Sequence, residues 1–376
     1  MDGVSPSART WAEIDLANLL HNFNLAKACG KKVMCVIKAD AYGHGAVRCG
    51  RYLEDHGADA FAVACLAEAA ELREGGIARP VLILGYTAAQ YAGLLARYNV
   101  AQTLVDESHA LEMSGAASAA GVALECHIKL DTGMSRAGLY AQGKEAAFEA
   151  ALAAERMMKL PGIRVTGMYT HFAVADTPGE DDYTAWQLEN YNIVLDELTK
   201  KGLRPETCHT SNSACIMSHP ETVVDMVREG IMLYGLYPDS APQEGPLKSV
   251  MTLKTRVSQV KDFPAGTTVS YGRTFRGGGP FTTAVLLAGY ADGYPRRLSN
   301  SASVVINGKK YPQAGRICMD MSMALVDKSE VARGDAATLI GGDSISWEQA
   351  AQIVGTINYE LTCLVTARAE RVYVNG

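Results

Sequence analysis

Lys38 closes the apolar run VMCVI (33–37) and opens the segment Ala-Asp-Ala-Tyr-Gly-His-Gly. A lysine that leaves water loses the hydration of its ammonium, so its pKa falls. The neutral amine so produced condenses with carbonyls and takes up protons. The ordinary alternative is a strand-end lysine that reaches back to water. Similar polar residues end other apolar runs. Lys129 and Asp131 close one, with Arg136 shortly after; Tyr169-Thr170-His171 close another. His209 leads into Ser211-Asn212-Ser213, and Arg228 into Gly230-Ile231. Asn212-Ser213 opening a helix, together with Gly230-Ile231, offer the hydroxyl and backbone N–H groups that bind phosphate. An amine across one mouth from such a cradle suits a phosphorylated aldehyde, either pyridoxal 5′-phosphate (PLP) or the substrate of a phosphosugar aldolase.

Eight apolar runs must position these residues. They begin at Val33, Phe61, Val81, Gln102, Glu125, Val165, Glu206 and Met226. Between them lie Ala-, Leu- and Glu-rich stretches of helix-forming composition, as at 108–120, 144–158 and 183–201. Strands buried on both faces read as continuous apolar runs, and helices between them imply parallel pairing. The pattern predicts an α/β fold with an N-terminal (β/α)8 TIM barrel over 1–245. An open doubly wound sheet is the alternative. Beyond 245 short β runs separated by turn signals predict a mostly β domain over 246–376, with an Asn307-Gly308 hairpin turn and one helix opening near Ser346. Gly277-Gly278-Gly279 lacks the Lys-Ser/Thr of a phosphate-binding loop and reads as a loop tip.

The totals narrow the classes. A chain of 376 residues with a net charge of -6 lacks the basic footprint of nucleic-acid binding. No apolar run approaches the roughly 20 residues of a membrane helix. The start MDGVSPSART has no secretory pattern, and the nine cysteines are scattered without any Cys-x-x-Cys, so a soluble cytoplasmic protein is expected. The eight histidines show no metal-ligand spacing, so no metal is expected; His44 reads as a residue that orders its loop.

The run VIKADAYGHGA resembles the PLP-attachment motif of alanine racemases. LDTGMSRAG, THFA, TSNSA, VREGIMLYG, VSYGRTF, GYADGYPR, AGRICMDMSM and INYEL follow in the family's order, from Trp11 to the last strand. The resemblance implies that Lys38 holds PLP as a Schiff base and is one of two catalytic bases. Tyr271 is then the other base, contributed across a homodimer interface. Racemisation needs two groups on opposite faces of the substrate carbon, and a tyrosine near pKa 10 needs cations about it to serve as one. The family pattern gives His171 and Arg228 to that network; Asp176, five residues past His171, is expected to orient it. It gives phosphate contacts to Tyr42, Ser213, Gly230, Ile231 and Tyr359, and the substrate carboxylate to Arg136 and the Met319 backbone. An arginine such as Arg228 at the pyridine nitrogen leaves that atom unprotonated and disfavours transamination. Basic amino-acid decarboxylases of similar architecture place an acid there. Tyr290, Tyr294, Arg296 and Asp320 fall at the substrate entrance and its surroundings, and Cys318 near the site without a catalytic role. Lys129 would carry a carbamate that holds Arg136. The implied activity is interconversion of L- and D-alanine, supplying D-alanine for peptidoglycan. A serine or broad-specificity racemase is the alternative; a non-catalytic PLP-binding barrel lacks the second domain.

Overall fold

The computed structural model describes residues 8–239, 241 and 245–376. The chain divides into two compact units: one is Phe23–Ala41 with Ala46–Leu233, the other Met1–Asn22, Tyr42–Gly45 and Tyr234–Gly376.

The first unit is the barrel. Its parallel strands are Lys32–Val36, Ala60–Val63, Val81–Ile83, Ala101–Leu104, Leu124–Asp131, Ile163–Tyr169, Thr207–His209 and Met226–Glu229, so each of the eight apolar runs forms one strand. From Lys32–Val36 to Thr207–His209 each pairs with the next in sequence, and Met226–Glu229 returns to pair with Lys32–Val36. The remaining seam is bridged by backbone hydrogen bonds from Asp225 to the Cys208 carbonyl (3.1 Å) and from Arg228 to the Ser211 carbonyl (3.0 Å). These bonds close the ring, which rules out the open sheet.

The helices around it dock on small residues. Lys144–Met158 buries Ala147, Ala150, Ala151, Ala153, Ala154 and Met157 on one face, the 3–4 residue spacing of an inward stripe. Asp106 and Asn212 cap helices Glu107–Ala119 and Ser213–Ser218, accepting from the His109 and Cys215 amides. Both satisfy first-turn donors that would otherwise be orphaned.

The second unit is mostly β. Its spine is the 13-residue strand Met251–Phe263, whose first seven residues alternate between buried and half-buried, as a sheet with one covered face requires. Thr10–Asp15 lies against it antiparallel and also pairs in parallel with Glu370–Val374. The first strand of the chain therefore belongs to this sheet. Asn307 (φ 52°) and Gly308 (φ 76°) make the tight turn between Ser303–Ile306 and Lys309–Pro312. Ser346 opens helix Trp347–Val354 through a reciprocal capping box with Gln349.

Candidate active site

Lys38 sits at the C-terminal end of the first barrel strand, half-buried, and begins the short helix Lys38–Gly43. That helix is left-handed: Ala39, Asp40, Ala41 and Tyr42 have φ of 52°, 53°, 55° and 53°, and Gly43 has 87°. Such backbone costs about 1–2 kcal/mol per non-glycine residue and persists only where the surroundings enforce it. Here Glu68 Oε1 accepts from the Ala39 amide (2.8 Å), Asp40 Oδ1 from Ala46 (2.7 Å), and the Ile37 carbonyl from Ala41 (2.9 Å).

Arg228 lies inside the barrel, 4% exposed. Its Nη1 donates to the His209 carbonyl (2.7 Å) and His209 Nδ1 (3.1 Å); its Nη2 donates to the carbonyls of Thr170 (2.8 Å) and Thr210 (3.0 Å) and meets His171 Nδ1 at 3.3 Å. Among the described residues it has no carboxylate ion pair, so a salt bridge near Glu229 is not its role. Glu229 faces away from it on the strand; it is buried with neither oxygen hydrogen-bonded, and burial holds its carboxyl far above the usual range.

The protons on these histidines follow from the donors. Arginine only donates, so Nδ1 of His171 and of His209 accepts, and each neutral ring carries its proton on Nε2. His209 Nε2 then donates to His127 Nδ1 at 2.9 Å. Burial, followed by the charge of Arg228, drives His171 and His209 well below the usual histidine range and His127 down to about 4. His127 escaped the sequence reading. Its one signal was spacing: His127, Lys129 and Asp131 alternate on strand Leu124–Asp131 and so share a face.

Lys129, Arg136 and Lys38 are the other charges acting on His171 besides Arg228. Burial and then Arg136 lower the Lys129 amine to about 8. Its Nζ donates to the Ala137 carbonyl, and it lies 5.9 Å over the Tyr169 ring, which stacks on His209 at 4.8 Å. Asp131 spends its carboxylate on the loop, accepting from the amides of Gly133, Ser135 and Arg136. Asp176 is exposed; Arg228, which meets the ring nitrogen, orients His171 in its place. Ser213 Oγ accepts from the amides of Gly230 (3.0 Å) and Met232 (3.4 Å), bringing two of the expected phosphate residues together; Ile231 between them is buried.

In the β unit the Tyr42 ring lies 5.0 Å from Tyr234 and 6.2 Å from Tyr359. His44 stacks on Tyr234 at 4.5 Å with Nδ1 against the Tyr42 carbonyl, a loop-ordering role. Tyr271 is 70% exposed on a reversal of the chain. The Tyr290 and Ala291 amides donate to the carbonyls of Cys318 and Met319, both at 3.1 Å. This approach requires glycine at 289, where a Cβ would lie 2.2 Å from the Cys318 oxygen. Arg368 ties Asp320 (2.7 Å) to the buried Asp292 (3.3 Å), fixing the two loops to each other. Met319, Tyr290 and Arg296 are exposed. Tyr294 is not an entrance residue: it is fully buried, and burial pushes its hydroxyl up.

A family profile described as "Alanine racemase, N-terminal domain" matches residues 14–238, and one described as "Alanine racemase, C-terminal domain" matches 250–373. The chain belongs to the alanine racemase family. An alanine racemase of Carboxydothermus hydrogenoformans is 45% identical over 374 residues, 97% of this chain and 99% of that protein. The solved alanine racemase of Clostridium difficile 630 superposes with a TM-score of 0.92 at 37% identity, covering 98% and 97% of the two chains. A histidine racemase from Leuconostoc mesenteroides shares the fold (TM-score 0.88, 27% identity, all of both chains). Solved structures of this fold are thus named for different amino acids.

Proposed function

We propose that this chain is a PLP-dependent racemase that interconverts L- and D-alanine, with Lys38 carrying the cofactor. The observation that carries the reading is the set of basic groups in the barrel: Arg228 meets the ring of one neutral histidine, His171, and Arg136 and Lys38 also act on it. With the Asp131 carboxylate engaged by its own loop, this set suits anionic guests, a phosphorylated cofactor and an amino-acid carboxylate. Arg228 fits the same cofactor in detail. Both its Nη atoms are committed to carbonyls and imidazoles, so Nε–H is the donor left to meet a pyridine nitrogen.

When bound, PLP supplies the electron-withdrawing ring that makes a substrate Cα proton removable. Lys38 holds it and moves a proton on one face; Tyr271 of the partner subunit moves a proton on the other. Arg228, a cation that does not give up its proton, holds the ring end without acting as an acid. His171 and His209, neutral and fixed in tautomer, keep Arg228 in place. Arg136 binds the substrate carboxylate with the Met319 backbone, and a carbamate on Lys129 holds Arg136. Asn212, Ser213, Gly230, Ile231, Tyr42 and Tyr359 bind the phosphate. Residues 1–245 form the PLP-binding domain; 246–376 add Tyr359 at the phosphate and supply Tyr271 and the entrance with its surroundings, Tyr290, Cys318 and Asp320 among them. The protein works as a cytoplasmic homodimer, and its D-alanine feeds peptidoglycan.

Chiral analysis of products from L-alanine and L-serine tests the activity. D-alanine should form with the higher kcat/KM. Faster turnover of L-serine would move the assignment to a serine or broad-specificity racemase, and no D-product from either would overturn it.

A further inference from the structure

Ser270, directly before Tyr271, has φ 64° and ψ -174°, a region that glycine enters freely and residues with a Cβ scarcely enter. Gly272 (φ 69°) and Arg273 (φ 52°) follow, so the backbone is left-handed on both sides of Tyr271. The strain is held by a specific bond: Ser270 Oγ donates to the Arg316 carbonyl at 2.6 Å and lies 3.4 Å from Cys318 Sγ. The facing loop is shaped to receive it. A Cβ on Gly315 would stand 2.7 Å from the Val269 carbonyl oxygen and 3.0 Å from Ser270 Cβ, and one on Gly272 would stand 3.0 Å from the Arg316 guanidinium. Tyr271 emerges from this clamp with its side chain exposed.

We propose that Ser270 is a positioning residue for Tyr271: its hydroxyl pins a backbone that serine would otherwise leave, and so fixes the direction in which the phenol projects. This rests on the reading of Tyr271 as the second base. Without the pin the left-handed corner relaxes toward extended backbone and Tyr271 swings away from its bearing. A glycine at 270 loses the hydrogen bond yet occupies the same corner without strain. Loss of a side chain that merely supports the fold gives the reverse ranking, since glycine is then the worse replacement.

The test compares PLP-loaded wild type, Ser270→Ala, Ser270→Gly and Tyr271→Phe. It measures kcat, KM and the Cα-deuterium isotope effect from both L- and D-alanine. Ser270→Ala should lose about tenfold in kcat, equivalent to about 1.4 kcal/mol, with KM within about twofold. Its isotope effect should rise in one direction and fall in the other, in the same sense as for Tyr271→Phe, because only one of two proton transfers slows. Ser270→Gly should retain more kcat than Ser270→Ala. Ser270→Gly no better than Ser270→Ala overturns the inference. So does an isotope pair that moves in Tyr271→Phe and not in Ser270→Ala. An isotope pair unmoved in Tyr271→Phe removes the base reading itself, and this inference falls with it.

Discussion

Lys129 shows how one residue's surroundings choose its chemistry. Burial and the neighbouring Arg136 lower its amine to about 8, so a sizeable neutral fraction exists near neutral pH, the form that adds carbon dioxide. The sign follows from linkage. A folded pKa below the unfolded value near 10.4 means that the charged amine costs stability below about pH 8, a cost relieved as pH rises toward 10.4. A carbamate removes that cost and replaces it with an attractive charge beside Arg136. Bicarbonate should therefore raise the melting temperature of the wild type near pH 7.5, and intact mass should show one added carbon dioxide. An equal rise in Lys129→Ala, or no added mass, would count against the modification.

At the scale of elements, much was legible because burial dictates composition. Strands covered on both faces must be apolar throughout, and each of the eight runs became a barrel strand. Asn307-Gly308 and Ser346 announced a turn and a helix start through chemistry that few other residues supply. Other features had no local signature. The left-handed turn after Lys38 is built from Ala39, Asp40, Ala41 and Tyr42, of which only Asp40 is a residue type enriched at positive φ; contacts from Glu68 and Ala46 impose it. Thr10–Asp15 pairs with partners some 240 residues and more away, which no local pattern encodes. His127 looked like one more member of a strand, and Tyr294 shared a motif with Tyr290 while pointing into the core. The turn's strain gives a stability expectation. Ala39 is exposed at φ 52°, so Ala39→Gly should stabilise the protein by about 1 kcal/mol in chemical denaturation; a destabilisation of similar size would show that the turn is not strained there.

For the molecule as a whole, the barrel interior couples stability to pH. His127 and His209 are buried, His171 is half-buried, and all three are neutral, with folded pKa values below the unfolded value near 6.5. The unfolded chain therefore binds more protons than the folded one once pH drops beneath about 6.5. The histidine contribution to stability should be flat above pH 7 and fall below 6.5 by up to about 1.4 kcal/mol per pH unit for each histidine. For His127 the fall should continue to about pH 4. His127→Asn should make the fall shallower by one proton, seen in urea midpoints between pH 7 and 5. An unchanged slope would mean that His127 is protonated in the folded barrel.

The proposed chemistry depends on the amine at the end of the first barrel strand, Lys38. The most direct measurement is borohydride reduction of the purified protein followed by peptide mass spectrometry. A pyridoxyl-phosphate adduct on the peptide holding Lys38, absent in Lys38→Ala, is the expected result. A protein that carries PLP on another lysine, or carries none after incubation with it, would contradict the account.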